Sequence, residues 1–353
     1  MELISRCFFY FGIFIIVASL IPRIKNDYWI FRVFEFPRLQ KLVANIVVLV
    51  FFIPRISSGH PPEFVLCALL LMNLIYLCWL ICPFTVFGKK QLAGSTKADN
   101  DQNIRLLIAN VFQENKKYDD YHQLIGRCNP DLLLMVETNQ WWQDNMDSIG
   151  RDYSHQIKVP LENTYGMLLY SRFELLDGSV NYLVEDDIPS IETNVKLPSG
   201  DLVKLFCLHP RPPVPQENPQ STERDKEILL VAKKAKESEY PVLVIGDLND
   251  VAWSYTTELF SKISGLLDPR KGRGFFNSFN AKYFFLRFPL DHVFCSADFT
   301  LTAIERKPSC GSDHFPMYIN LQYNPAAEIK NDIPMPDQDD IEIFEEKVNA
   351  ETG

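Results

Sequence analysis

The sequence predicts an α+β protein: a four-layer α/β sandwich, two packed mixed sheets flanked by helices, preceded by transmembrane helices. Three observations carry this expectation. Apolar residues crowd into three stretches within the first quarter of the 353 residues, while the rest alternates as a soluble domain does. From residue 103 onward, short β-like runs outnumber the longer helical patterns. Helices fall between only some of those runs, which favours two packed sheets; a doubly wound parallel sheet stays the alternative.

The membrane segment comes first, at 1–88. A bilayer span needs roughly 20 apolar residues. Residues 64–87 meet that length with no charge, and residues 3–21 carry only Arg6. Ala18-Ser19-Leu20 faintly resembles a signal-peptide cleavage site, but the later apolar stretches would keep a cleaved chain in the membrane. Residues 42–53 are short and hemmed in by Lys41 and Pro54-Arg55, so they span only if those cations snorkel. Three spans are preferred over two. With three, Arg23, Lys25, Arg32, Arg38, Lys41, Lys89 and Lys90 share a side with the large domain, which the charge bias places in the cytoplasm.

A polar, aperiodic linker follows at 89–102, and the large domain occupies 103–322. Its expected strands are 104–112, 132–136, 166–170, 191–197, 202–208, 242–245, 292–295 and 317–321, with helices at 118–127, 222–238 and 254–264. The helix at 222 opens Thr222-Glu223-Arg224-Asp225, close to a capping box. Residues 323–353, rich in Asp, Glu and Pro, read as an acidic disordered tail. The cysteines show no paired spacing for zinc or disulfides and read as free thiols. Residues 1–90 carry a net charge of +5 from nine Lys/Arg and four Asp/Glu, leaving −15 of the overall −10 beyond them. A domain this acidic lacks the basic footprint of a tight, non-specific nucleic-acid binder.

Polar residues recur at the ends of the expected strands. Asn110 follows the first, Glu137 the second, His209 the 202–208 run, and Asp247 with Asn249 the 242–245 run; Asp291 and Asp313-His314 precede the last two. Carboxylate, amide and imidazole groups at strand ends suit hydrolysis of phosphate esters, where a cation is held, a water oriented and charge on phosphorus taken up. Each group has a plainer reading as a turn, surface or core residue. In order, Ala109-Asn110, Val136-Glu137-Thr138, Tyr165-Gly166-Met167, Leu208-His209-Pro210, Gly246-Asp247-Leu248-Asn249-Asp250, Leu290-Asp291-His292 and Gly311-Ser312-Asp313-His314-Phe315-Pro316 make a series.

That series resembles the endonuclease/exonuclease/phosphatase superfamily over about residues 103–322. The preceding spans are similar to those of bacterial membrane members, which implies a multi-pass protein of the inner membrane. The resemblance implies Mg²⁺ (or Mn²⁺) on Glu137, Asn110 and Asp313, with Asp247 and Asn249 activating water. His209 and His314 then stabilise charge, and Asp291 keeps His314 cationic. Arg211 and Trp253 are expected at the substrate, and His292 is read as structural. Phe112 stands where some nuclease branches carry a second acid, which weakens a two-metal scheme. The expectation is a membrane-anchored phosphodiesterase or nuclease whose partners are a phosphoester (phospholipid, phosphoinositide or nucleic acid) and the lipid bilayer. A non-catalytic receptor or scaffold is the alternative.

Overall fold

In a computed structural model, residues 2–58, 60–95 and 100–352 are described. The chain begins with helices α1 (Glu2–Leu20), α2 (Trp29–Arg32), α3 (Arg38–Phe52) and α4 (Pro61–Ile81). Glu2–Arg23 and Pro61–Phe84 are each long and apolar enough to cross a membrane. The third expected span passes that test only when Arg38–Arg55 is joined to Trp29–Glu35, across a bend of 70°. Pro37 marks the bend: it lacks a backbone donor, and its own ψ of 45° leaves helical geometry. The bundle closes over Ile15, Val48, Phe52, Leu66 and Leu70. Asn45 donates to the Leu70 carbonyl (3.0 Å) and Asn73 to Asn45 Oδ1 (2.9 Å), satisfying polar groups that lipid would leave bare.

The large domain contains β1 (Asn103–Asn110), α5 (Tyr118–Cys128), β2 (Leu132–Val136), α6 (Gln140–Met146), β3 (His155–Val159) and β4 (Met167–Ser171). It continues with β5 (Glu174–Asn181), β6 (Ser190–Lys196), β7 (Leu202–Leu208), α7 (Thr222–Lys236), β8 (Val242–Asp247) and α8 (Tyr255–Ser264). Last come β9 (Asp291–Cys295), β10 (Phe299–Arg306), β11 (Met317–Tyr323) and α9 (Gln338–Asn349). One mixed sheet runs β10-β11-β1-β2-β4-β3 and the other β5-β6-β7-β8-β9. Leu106, Ile108, Leu134 and Leu169 of the first meet Val203, Leu205, Leu243 and Ile245 of the second in one core. Helices α5 and α6 cover the outside of the first sheet and α7 and α8 that of the second. The four-layer sandwich is therefore the fold, and the doubly wound alternative is excluded.

Strands β3, β5 and β10 were not expected. β3 is half-exposed throughout and most of β5 faces solvent, so neither shows a clear two-residue alternation. The expected capping box at 222 is absent: Ser221 stands at the helix N-cap without a side-chain cap, and the Thr222 hydroxyl donates to Asp27.

The expected disordered tail is a further correction. Asp337 and Asp340 form a capping box that starts α9. The helix then docks on α7 and α8 through Lys262–Asp340 (2.9 Å) and Lys347–Asp225 (2.9 Å). Its acidic composition hid this, because the partners of Asp340 and Lys347 belong to distant segments. The linker is also partly packed: Leu92 is buried in the main core and Gly94 bridges to Leu301. Residues 96–99 of that linker and Gly353 of the tail lie outside the described residues.

Candidate active site

Sheet register brings the strand ends together. β7 and β8 run parallel with Leu208 opposite Gly246, so His209 and Asp247 emerge side by side. β8 and β9 run antiparallel with Asp247 opposite Asp291. In the other sheet β1 and β2 run parallel with Asn110 opposite Val136, placing Asn110 beside Glu137. β11 starts opposite Ile108, and His314 lies just before it. All six side chains thus sit at one end of the sandwich.

Two motif glycines make this end possible. A Cβ on Gly246 (φ 144°) would lie 1.9 Å from the Leu208 carbonyl oxygen, and one on Gly166 would lie 1.9 Å from that of Thr138. Only glycine permits either approach. Phe112, Glu137 and Asn249 have positive φ values of 60°, 58° and 50°. A non-glycine residue in that region carries strain that the surrounding fold must hold, a feature concentrated at functional sites.

The contacts are short and mostly buried. The Asn110 amide donates to Glu137 Oε1 (2.7 Å) and Asp247 Oδ2 (3.0 Å), joining the two sheets. His314 Nδ1 lies 2.8 Å from Asp291 Oδ2 and its Nε2 3.5 Å from Asp247 Oδ2. Burial alone would lower the His314 pKa, but Asp291 and then Asp247 outweigh it and raise it to about 10. His209 is buried without a carboxylate in contact, so burial holds it down at about 4 and it is neutral. Its Nδ1 has no hydrogen-bond partner among the described residues, and the Tyr165 ring lies 5.5 Å away. Burial likewise pushes Glu137 up to about 7, with Asp247 and Asp313 adding to the rise.

The raised His314 value has a consequence for stability. A group whose folded pKa exceeds its unfolded value of about 6.5 stabilises fully below that value and loses the contribution as pH rises through about 10. The thermal advantage of the wild-type chain over His314→Gln in detergent is therefore expected to narrow between pH ~7 and pH ~10.5. A constant advantage across that range would contradict the ion-pair assignment.

Other expected site residues fall differently. The Asn249 backbone N–H donates to Asp247 Oδ1 (2.9 Å), while its side-chain amide donates to the Pro210 carbonyl (2.9 Å), tying the loop to the one after His209. Arg211 shares its charge with Glu185 (2.9 Å) and Asp187 (3.4 Å). Asp313 is half-buried, and its backbone carbonyl accepts from Ala281 (2.6 Å). It reaches Glu137 through charge. Trp253 is a correction. It is buried between Phe84 and Phe275 and donates to the Glu35 carbonyl (2.9 Å), so it seats the N-terminal helical segment on the domain. The chain turns at Asp250 toward α8 and carries Trp253 away from the strand ends.

Sequence reasoning missed Arg224 and Arg270 in the support beneath this loop. Buried Arg224 donates to the Asn249 carbonyl (2.8 Å) and pairs with Asp250 (3.3 Å). His292 Nε2–H donates to the Asp250 carbonyl (2.8 Å) while its Nδ1 accepts from Arg270 (2.7 Å), which fixes a neutral tautomer. The available signal was the spacing of Arg224, Ile228, Val231 and Ala235, which puts a charge on the apolar stripe of α7.

The donor set fits a hard divalent cation. Asp247, Asp291 and His314 offer ligand atoms within 4.8 Å of one another, and Asp291 Oδ1 is buried with no partner among the described residues. His314 is better explained as a cation clamped between two carboxylates than as a ligand. Glu137 and Asp247, joined only through one amide, concentrate negative charge that such an ion would neutralise.

Comparison with known proteins agrees with this geometry. Three solved structures share the fold at a TM-score of 0.51. A humanized D. rerio TDP2 is 16% identical, covering 63% of this chain and 99% of its own. An endonuclease/exonuclease/phosphatase family protein from Bacteroides thetaiotaomicron is 18% identical (63% and 95%). The human Nocturnin catalytic domain is 14% identical (64% and 97%). No curated protein matches the sequence. Proteins of this superfamily hydrolyse phosphoester bonds and generally use a divalent metal. The model of the Endonuclease/Exonuclease/phosphatase family matches residues 107–314, well over half of the sequence, with Asn110 and His314 near its two ends. The chain belongs to that family.

Proposed function

We propose that this protein is a membrane-anchored, Mg²⁺-dependent phosphoester hydrolase, a phosphodiesterase or nuclease. The observation that carries this reading is the convergence of Asn110, Glu137, His209, Asp247, Asp291 and His314 on one end of the sandwich. Asp247 orients and deprotonates the attacking water, as a carboxylate within reach of both Asn110 (3.0 Å) and His314 (3.5 Å). His314, kept protonated by Asp291, donates to the oxygen that gains charge. His209, neutral before substrate arrives, donates a hydrogen bond to a phosphoryl oxygen. Glu137, with Asn110 and Asp313 nearby, would hold Mg²⁺, which supplies Lewis-acid stabilisation of phosphoryl charge when bound.

The anchor reading rests on the two apolar helices and the bent pair. Residues 22–41 touch the large domain through Trp29–Pro219 and Arg32–Asp225 contacts, so both belong on one side, which we place in the cytoplasm beneath a bacterial inner membrane. A reporter fused to the C-terminus tests that side; a periplasmic signal overturns it.

The catalytic test is hydrolysis of a bis-aryl phosphate by the purified full chain. EDTA is expected to reduce the rate about a hundredfold or more, with recovery on adding Mg²⁺ or Mn²⁺. Undiminished hydrolysis in EDTA ends the metal-assisted scheme.

A further inference from the structure

The segment between α8 and β9 carries an unusual surface. Phe279 and Phe288 pair through their backbones, and Asn280 N–H donates to the Leu286 carbonyl (3.0 Å), making a narrow hairpin. At its tip Tyr283, Phe284, Phe285 and Leu286 are 63%, 69%, 79% and 52% exposed. Four consecutive large apolar side chains at such exposure cost solvation free energy in water and mark a contact surface. Lys282 and Arg287 flank them, with Lys282 Nζ 4.4 Å above the Phe112 ring and the Arg287 guanidinium 5.0 Å above that of Phe284.

The stem of the hairpin joins two places already described. On one side the Phe279 ring lies 5.0 Å from that of His314, and Ala281 N–H donates to the Asp313 carbonyl (2.6 Å). On the other, Phe288 packs edge-on against Phe36 (5.5 Å), and the Gln40 side chain donates to the Phe285 carbonyl (2.7 Å). Gln40 lies in the first turn of α3, whose Leu39, Val43, Ile46, Val47 and Val50 face outward. The tip therefore sits level with the point where the apolar helix leaves the domain. Aromatic residues flanked by Lys and Arg at that level form the belt of a membrane interface.

We propose that residues 283–286 insert into the headgroup region of the bilayer holding the N-terminal helices, and that the adjacent site acts on phosphoesters of lipid headgroups. The docking rests on the hairpin alone; the lipid substrate class rests also on the hydrolase reading above. Continuity with α3 argues for a bilayer as occupant. So does the pairing of an apolar tip with two flanking cations, which suits acyl chains below anionic headgroups.

The test uses the full chain in nanodiscs containing acyl-brominated phosphatidylcholine and phosphatidylglycerol. Phe285→Trp is expected to add fluorescence that the brominated lipid quenches beyond the wild-type level. No added quenching overturns the docking. In parallel, Phe284→Ser/Phe285→Ser is expected to slow hydrolysis of nanodisc phospholipid about tenfold or more, because two buried aromatic contacts are lost, while bis-aryl phosphate hydrolysis stays within about twofold. Equal loss on both substrates makes the hairpin part of the catalytic frame and overturns the proposal. A loss confined to single-stranded DNA makes the tip a base-stacking platform, which also overturns it. Should the wild type hydrolyse none of these, the phosphoesterase reading fails while the quenching still decides the docking.

Discussion

Asp247→Asn is expected to lower kcat on a bis-aryl phosphate by about three orders of magnitude, the loss typical of a missing general base with part of its charge stabilisation. The substitution is close to isosteric. Its side-chain oxygen can still accept from the Asn249 backbone N–H, so the loop is expected to keep its shape. What changes is charge. After Asp291, Asp247 is the next of the three carboxylates that raise His314 to about 10, and it faces the Asn110 amide that also serves Glu137. Removing it weakens the hold on the His314 proton, so the alkaline limb of the kcat profile is expected to move to lower pH. Full pH–rate profiles of both proteins check this. A loss smaller than about tenfold, or an unmoved alkaline limb, removes Asp247 from the reaction.

The catalytic end was legible because each of its residues follows or precedes an apolar run, and such a run stands out in sequence when a strand is buried on both faces. β2, β4 and β8 are fully buried and were readable as continuous hydrophobic segments. β3 and β5 pair at sheet edges, where solvent relaxes the choice of side chain. Trp253 lies only three residues beyond Asp250, yet belongs to the seat of the N-terminal apolar helices. Sequence distance does not report the turn between them. In sequence the hairpin tip is only a run of aromatic residues, Tyr283, Phe284 and Phe285, and whether they pack or face outward depends on the stem contacts with His314 and Phe36. The tail was misread for a different reason. Net charge says nothing of pairing, and the partners of Lys347 lie at Asp27 and Asp225.

Those partners identify the second large effect. Asp225 is buried with its pKa well below the usual carboxylate range: burial alone would raise it, but Arg32, Lys347 and Arg224 outweigh that penalty. One of its oxygens accepts from Arg224 (2.8 Å) and the other from Lys347 (2.9 Å), Ser221 (3.1 Å) and Arg32. One carboxylate thus joins the segment after α1, helix α7 and helix α9. Asp225→Ala leaves two guanidiniums in the interior without their shared counter-ion. The expected cost is about 3–5 kcal/mol, the range for breaking a buried pair by removing one partner, against under about 1 kcal/mol for an exposed one. Denaturant unfolding of the detergent-solubilised chain measures it. Limited proteolysis is expected to open first at residues 22–37 and 337–352, the two segments held by this carboxylate. Activity should fall as well, because Arg224 also donates to the Asn249 carbonyl beneath the catalytic loop. If Asp225→Ala costs less than about 1 kcal/mol, the network behaves as a solvated surface cluster. In that case it does not couple the N-terminal segment to the site.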